Sequence, residues 1–282
     1  MELIQPNSAG RSSMREFTSA FVVFILLCAS SLIGLYVQSR LRAEHRSADT
    51  RELLQLVIGT LVTFAALVLG LLTNSAAVTF DQASHDRGEY AMRLMDLDRC
   101  LRNYGPEAET ARQQLRSYTA AVVASTWPAE PHPAGVTYPD TAKMARTGED
   151  PVLARLMNRI GMEIYGLNAP DALRAHLLQG CLDTYFSVLR ARAAVIEDTQ
   201  RKMSIPFYWV LVFWLIVVFA CFGLCSPRNG LALLVIILGA VSLSTALFVI
   251  SELFRPYGGM IGISSTTMRA ALAHMMQASE SP

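Results

Sequence analysis

The stretch from Leu53 to Phe80 is 28 residues long and contains no Asp, Glu, Lys or Arg, between Glu52 and Asp81. A helix needs about 20 apolar residues to cross a bilayer core. The segment is long enough to span a membrane and to continue into water as the same helix. Three further runs accompany it: Phe17 to Ser39, Met203 to Pro227 and Asn229 to Ser251. The chain is 52% hydrophobic and 17% charged, and most of the charge falls between residues 81 and 202. That uneven division is the signature of an integral membrane protein with a polar insert. A formal net charge of +1 gives no reason to expect a nucleic-acid partner.

The N-terminal residues 1–16, with Pro6, Asn7, Ser8 and Gly10, read as a disordered tail. The first run is read as an uncleaved span, because apolar residues resume after Ala29-Ser30-Ser31 with Leu32, Ile33, Leu35 and Val37. Hairpin 1 therefore occupies residues 17–80, with spans at about 18–38 and 54–76. The loop between them carries Arg40, Arg42, Arg46 and Arg51. Hairpin 2 occupies residues 203–254, with spans at about 205–225 and 231–251. The short link Ser226-Pro227-Arg228-Asn229-Gly230 makes these two helices antiparallel neighbours. Residues 255–282 form a C-terminal tail.

The insert, residues 81–202, reads as helical throughout. Tyr90, Leu94, Leu97 and Leu101 share one face and prolong the second span. Gly105-Pro106 breaks that helix and starts another, whose apolar face is Ala111, Leu115, Tyr118 and Val122. A loop with Pro128, Pro131, Pro133 and Pro139 ends it. Asp150-Pro151 has the form of an N-cap followed by Pro at the first helical position, and Asn168-Ala169-Pro170-Asp171 opens a last helix in a similar way. That helix carries a stripe of Leu173, Leu177, Cys181, Tyr185, Val188 and Val195. No alternating strand pattern occurs. The expected class is all-α, four transmembrane helices in two hairpins flanking a helical soluble insert.

The five cysteines make no disulfide framework: Cys28, Cys221 and Cys225 lie inside spans, Cys100 and Cys181 in helices far apart in sequence. The five histidines show no metal-ligand spacing, so neither a metal nor a cofactor is expected. No nucleophile with a nearby base, phosphate loop or paired-carboxylate motif stands out, and no enzyme is expected. On the second span Thr60, Thr63, Leu67, Gly70, Asn74, Ala77 and Asp81 fall on one stripe. Such a stripe lines a pore where several copies meet around an axis, or lets membrane helices pack closely. After the fourth span, Glu252, Arg255, Pro256 and Gly258 combine an i,i+3 charge pair with a helix stop, read as a membrane-boundary anchor or as a means of drawing anions to a pore mouth.

Three segments carry a resemblance. They are Leu101-Arg102-Asn103-Tyr104-Gly105-Pro106-Glu107-Ala108 with Ala111-Arg112, Leu115-Arg116-Ser117-Tyr118 and Trp127-Pro128; Thr79-Phe80-Asp81; and Glu252 through Ile261 followed by Ser264-Ser265 and Met268-Arg269. Over roughly residues 50–275 the chain resembles a bacterial membrane-protein family described as bestrophin-like. The resemblance implies a relation to bestrophins, pentameric anion channels with two helical hairpins flanking a cytosolic helical region. It therefore implies a homo-oligomer in the bacterial inner membrane, with the lipid bilayer and small anions as partners. No acidic calcium-binding cluster accompanies it, so calcium gating is not carried over. Basic residues near the membrane number five on the short-loop side, from the first loop and Arg228. On the insert side they are Arg11, Arg15, Arg87, Arg93, Arg201, Lys202, Arg255 and Arg269, a total of eight. Over the whole chain this places insert and termini in the cytoplasm, although the first helix taken alone points the other way.

Overall fold

The computed structural model describes residues 8–40, 48–142, 144–145, 148–200, 205–227, 229–257 and 261–280. Among these residues there is no strand. The α-helices are α1 (Ser8–Arg40), α2 (Ala48–Tyr104), α3 (Glu109–Thr126), α4 (Pro151–Tyr165), α5 (Ala172–Gln200), α6 (Ile205–Cys225), α7 (Gly230–Leu253) and α8 (Thr266–Glu280). The candidate spans lie in α1, α2, α6 and α7, at Thr18–Arg40, within Glu52–Tyr104, at Pro206–Cys225 and at Gly230–Leu253. The all-α, four-span class is the one the sequence implies.

The chain divides into two compact units, one of Met1–Phe80 with Lys202–Ile261 and one of Asp81–Arg201 with Gly262–Pro282. In the first, Val23 and Leu27 of α1, Ala65 of α2, Leu211, Leu215 and Phe219 of α6, and Ala240 and Leu247 of α7 form a buried core. Phe21, Leu32, Leu56, Leu71, Phe213, Leu234 and Leu238 are exposed on the outside. In a bilayer that surface needs no burial, because lipid is as apolar as the side chains.

Helices α1 and α6 touch backbone to backbone. A Cβ on Gly34 would sit 2.1 Å from the Ala220 carbonyl oxygen, and one on Gly223 would sit 2.1 Å from that of Ser31. Small residues permit this approach, which supplies dispersion contacts where no hydrophobic force drives two helices together. The Gln38 amide donates to the Ser226 carbonyl at 3.1 Å and satisfies one of the orphan acceptors beyond α6. Asn229 caps α7 by accepting from the Ala232 N–H at 2.9 Å.

In the second unit, Tyr90, Leu94, Leu97 and Leu101 of α2 are buried, as are Ala111, Leu115, Tyr118 and Val122 of α3. Gly105 turns the corner with φ 121°, and Pro106–Ala108 forms a single 3-10 turn before α3. Asp150 caps α4 through the N–H groups of Val152 and Leu153 and also accepts from Ala145. Burial by itself raises the Asp150 pKa, but these three backbone donors outweigh it and hold the carboxyl below its ordinary value. At α5 the capping side chain is Asp171, which accepts from the Arg174 N–H at 2.7 Å. The stripe of α5 is buried from Cys181 through Tyr185, Val188 and Val195, whereas Leu173 is 69% exposed because the first turn extends beyond the core.

Three expectations need correction. Cys100 and Cys181 are joined by a disulfide, with Cα atoms 5.5 Å apart. The pairing was hidden because 81 residues separate the two cysteines, and only the docking of α5 against α2 brings them together. Helix α1 begins at Ser8, so the part of the N-terminal tail from residue 8 to 16 is helical rather than disordered. Once a membrane span nucleates a helix, adding residues is far easier than starting one. The C-terminal segment, read as a tail, carries α8. Met268, Ala271, Leu272 and Met275 of that helix are buried, and Arg269 donates to Glu130 Oε2 at 2.9 Å and to the Pro131 carbonyl at 2.8 Å. Trp127 Nε1 donates to the Ile263 carbonyl at 2.9 Å, so the proline-rich loop and the C-terminal segment brace each other.

Candidate functional site

On α2, Ala65 and Ala76 are buried, and Val68, Leu69 and Leu72 pack against the core of the membrane unit. These positions share one helical face. Successive residues turn by about 100°, which puts Thr60, Thr63, Leu67, Gly70 and Asn74 on the opposite face. All five are exposed in the single chain, and Ala77 is half-buried. Asp81 follows in the same helical register and is also exposed. A Cβ on Gly70 would meet nothing within 4 Å. Among the described residues of one copy, therefore, the stripe is left largely exposed.

The hydroxyls of this stripe are engaged locally. Thr60 donates to the Leu56 carbonyl at 3.0 Å and Thr63 to the Gly59 carbonyl at 2.8 Å. Such bonds to the residue four earlier satisfy a hydroxyl in an apolar setting. The Asn74 amide is the side-chain N–H donor between Thr60 and Asp81 on this face among the described residues.

At the end of α7, Glu252 is fully buried, and its Oε2 accepts from the Ile261 N–H at 3.4 Å. The carboxylate ties the segment after the helix stop back onto the helix end. Arg255 closes the last turn through its N–H to the Glu252 carbonyl at 2.9 Å, and its side chain is exposed. Pro256 is buried. Gly258 lies outside the described residues.

The insert holds buried polar groups to which the sequence had assigned no site. Arg112, 7% exposed, donates through Nε to Asp98 at 3.1 Å and through Nη1 to Glu109 at 2.8 Å. Tyr90 and Tyr118 are buried with their hydroxyls hydrogen-bonded to each other. Burial raises both phenol pKa values, that of Tyr90 well above its ordinary value. The Arg87 guanidinium lies over the Trp127 ring at 5.1 Å. A helical period would have shown Arg112 and Arg116 within a turn of buried Leu115, but a long basic side chain on such a pattern ordinarily reaches to solvent.

His85, Asp86 and Glu89 on α2 bring ligand atoms within 4.8 Å of one another, a grouping the histidine spacing had not suggested. Asp86 already accepts from Gln82 at 2.9 Å and Glu89 from Arg93 at 3.0 Å. Those intrahelical pairs describe a solvated helix face.

Fold and spans together define a multi-pass helical membrane protein with a helical extramembrane unit. The sequence matches the family model of the Bestrophin-like domain over residues 25–268, and the chain belongs to that family. The fold is similar to crystal structures of a bacterial bestrophin homologue from Klebsiella pneumoniae. A variant with a tryptophan-to-alanine substitution matches with TM-score 0.65 at 14% identity, over 94% of this chain and 98% of the other. A variant with aspartate replaced by alanine matches with TM-score 0.62 at 15% identity, over 93% and 99%. One with isoleucine replaced by threonine matches with TM-score 0.58 at 14% identity, over 93% and 100%. No curated protein matches the chain.

Proposed function

We propose that the protein is a homo-oligomeric channel for small anions in the bacterial inner membrane, with α2 lining the pore and the insert and termini in the cytoplasm. It carries out no enzymatic reaction on this reading. The observation that carries the proposal is the exposed stripe from Thr60 to Asn74, opposite the face by which α2 packs in its own chain. A symmetric ring of copies would turn such a face toward a common axis, where small side chains leave room and Leu67 forms an apolar constriction. Because Thr60 and Thr63 donate to their own backbone, the Asn74 amide is the group that replaces part of an anion's water shell. Exposed Arg255, at the end of α7, raises the local anion concentration. Membership of the bestrophin-like family supports this reading.

The test is halide efflux from liposomes containing the purified oligomer, beside empty liposomes. Flux that Asn74→Leu alters supports the pore on α2. Potassium flux in place of halide flux would overturn the anion assignment while leaving the pore. Absence of both from a folded oligomer, or a monomer or dimer in mild detergent, would favour a non-conducting scaffold or sensor whose insert binds a partner. What favours that second reading is that α2 carries no charged residue from Leu53 to Phe80.

Orientation has its own observation to answer. Disulfides persist in oxidising compartments and are rare in the cytosol. A cytoplasmic insert therefore holds Cys100 and Cys181 as thiols in growing cells, to be closed by oxidation. Alkylation of the two cysteines in intact cells before lysis supports the cytoplasmic placement. A bridge already formed at that point would put the insert on the outer side.

A further inference from the structure

Between α3, the loop segment 135–137 and α4 lies an open pocket of about 490 Å³. Its polar lining includes Arg116 and Arg159, the amides of Gln113 and Gln114, and the hydroxyls of Ser117 and Thr137. Among the described residues no carboxylate lines it. Arg159 stands exposed at the rim, whereas Arg116 is only 9% exposed.

Arg116 is incompletely paired. Its Nη1 meets Glu109 Oε1 at 3.4 Å. The same carboxylate meets Arg112 at 2.8 Å, so one negative charge is shared by two guanidinium groups and Arg112 holds the shorter contact. The Arg116 Nε and Nη2 are buried and meet no acceptor among the described residues. A buried donor left without a partner is costly, and a guanidinium edge is more so. The Nε–Nη2 edge is also a particular shape: two parallel N–H bonds that fit the two oxygens of a carboxylate or phosphate. The Gln114 Oε1 is likewise buried without a donor, while the amide nitrogen of the same side chain reaches Glu163 at 3.5 Å. An unmet two-donor fork and an unmet acceptor thus belong to two residues that line one pocket.

We infer that this pocket binds a small organic oxyanion, a carboxylate or phosphate that also carries a hydroxyl or amino donor. The Arg116 edge takes the oxyanion, Gln114 Oε1 takes the donor, and Arg159 supplies the second positive charge at the rim. The site belongs to the insert alone and does not depend on the pore reading.

Calorimetric titration of the full chain in detergent tests it, with malate as the hydroxycarboxylate probe, glycerol 3-phosphate as the phosphate probe and chloride held constant. The expected result is saturable binding of at least one probe, one site per chain, and which probe binds decides between the two oxyanions. Losing charged bidentate hydrogen bonds weakens binding by about ten- to hundredfold, the expected effect of Arg116→Lys, which keeps the charge and removes the fork. Arg159→Gln and Thr137→Val at the exposed rim also weaken it, and they decide the matter if Arg116→Lys does not fold. Failure of both probes to bind at millimolar concentration overturns the proposal, as does binding left unchanged by the rim variants. Since no ion flux is read, a non-conducting protein leaves this test unaffected.

Discussion

Reducing the Cys100–Cys181 bridge should destabilise the insert by an amount set by the loop the bridge closes. The two cysteines are 81 residues apart. Closing a loop of that size removes roughly 15 cal/mol/K from the unfolded chain in the loop-entropy model, or about 4.5 kcal/mol at 25 °C. Residual structure in the reduced, unfolded chain lowers that figure. For a unit of this size each kcal/mol moves the midpoint by roughly 3 °C, so the expected fall in Tm is on the order of 10 °C. The assay is a thermal melt of the full-length chain in detergent, oxidised and reduced, followed by intrinsic fluorescence. Peptide mass spectrometry establishes the thiol state of each sample. The double variant Cys100→Ser, Cys181→Ser should melt with the reduced wild type and show no response to reductant. If oxidised and reduced samples melt within about 2 °C of each other while the mass shows the bridge formed, the reasoning fails, because the unfolded chain is then not the state the bridge constrains.

Gly34→Val or Gly223→Val should separate α1 from α6, since an added Cβ would sit 2.1 Å from a carbonyl oxygen in either case. Backbone on backbone cannot yield locally, so we expect loss of a folded peak in size-exclusion chromatography, while Gly59→Ala on the open face of α2 leaves the profile unchanged. Asp150→Ala should cost about 1–2 kcal/mol as a lost N-cap, read from a denaturant or thermal titration. The Asp150 pKa is lowered in the folded chain, so its contribution is present above the unfolded-state pKa and is lost as the pH falls through the folded one. Wild type and Asp150→Ala should therefore converge in stability on acidification, and a constant gap between them would contradict the assignment.

Membrane insertion leaves a strong trace in sequence because it depends on composition over about 20 consecutive residues. Leu53 to Phe80 sufficed to mark the second span, and Tyr90 to Leu101 to mark its continuation into the insert, as one helix from Ala48 to Tyr104. Local chemistry was equally legible: Gly105-Pro106 breaks the helix, and Asp150 caps the next one with its own side chain. The stripe on α2 could be recognised by period, but not the side it presents. Only the packing of Ala65, Val68, Leu69 and Leu72 shows which face is already taken.

What lay beyond the sequence in each case was a contact between distant residues. The Cys100–Cys181 bridge, the α8 helix braced on Glu130 and Pro131, and the Gly34–Ala220 approach each join residues separated by scores of positions. The unmet edge of Arg116 belongs with them, since a buried arginine looks like a solvated one until its neighbours are known. Hydropathy and helical period determined the four spans and the helices of the insert, because those follow from interactions within a few turns, but not the start of α1 at Ser8 or the presence of α8. Which faces meet, which cysteines pair and which charges are left over were decided by tertiary packing, where partners are chosen by shape across the whole chain.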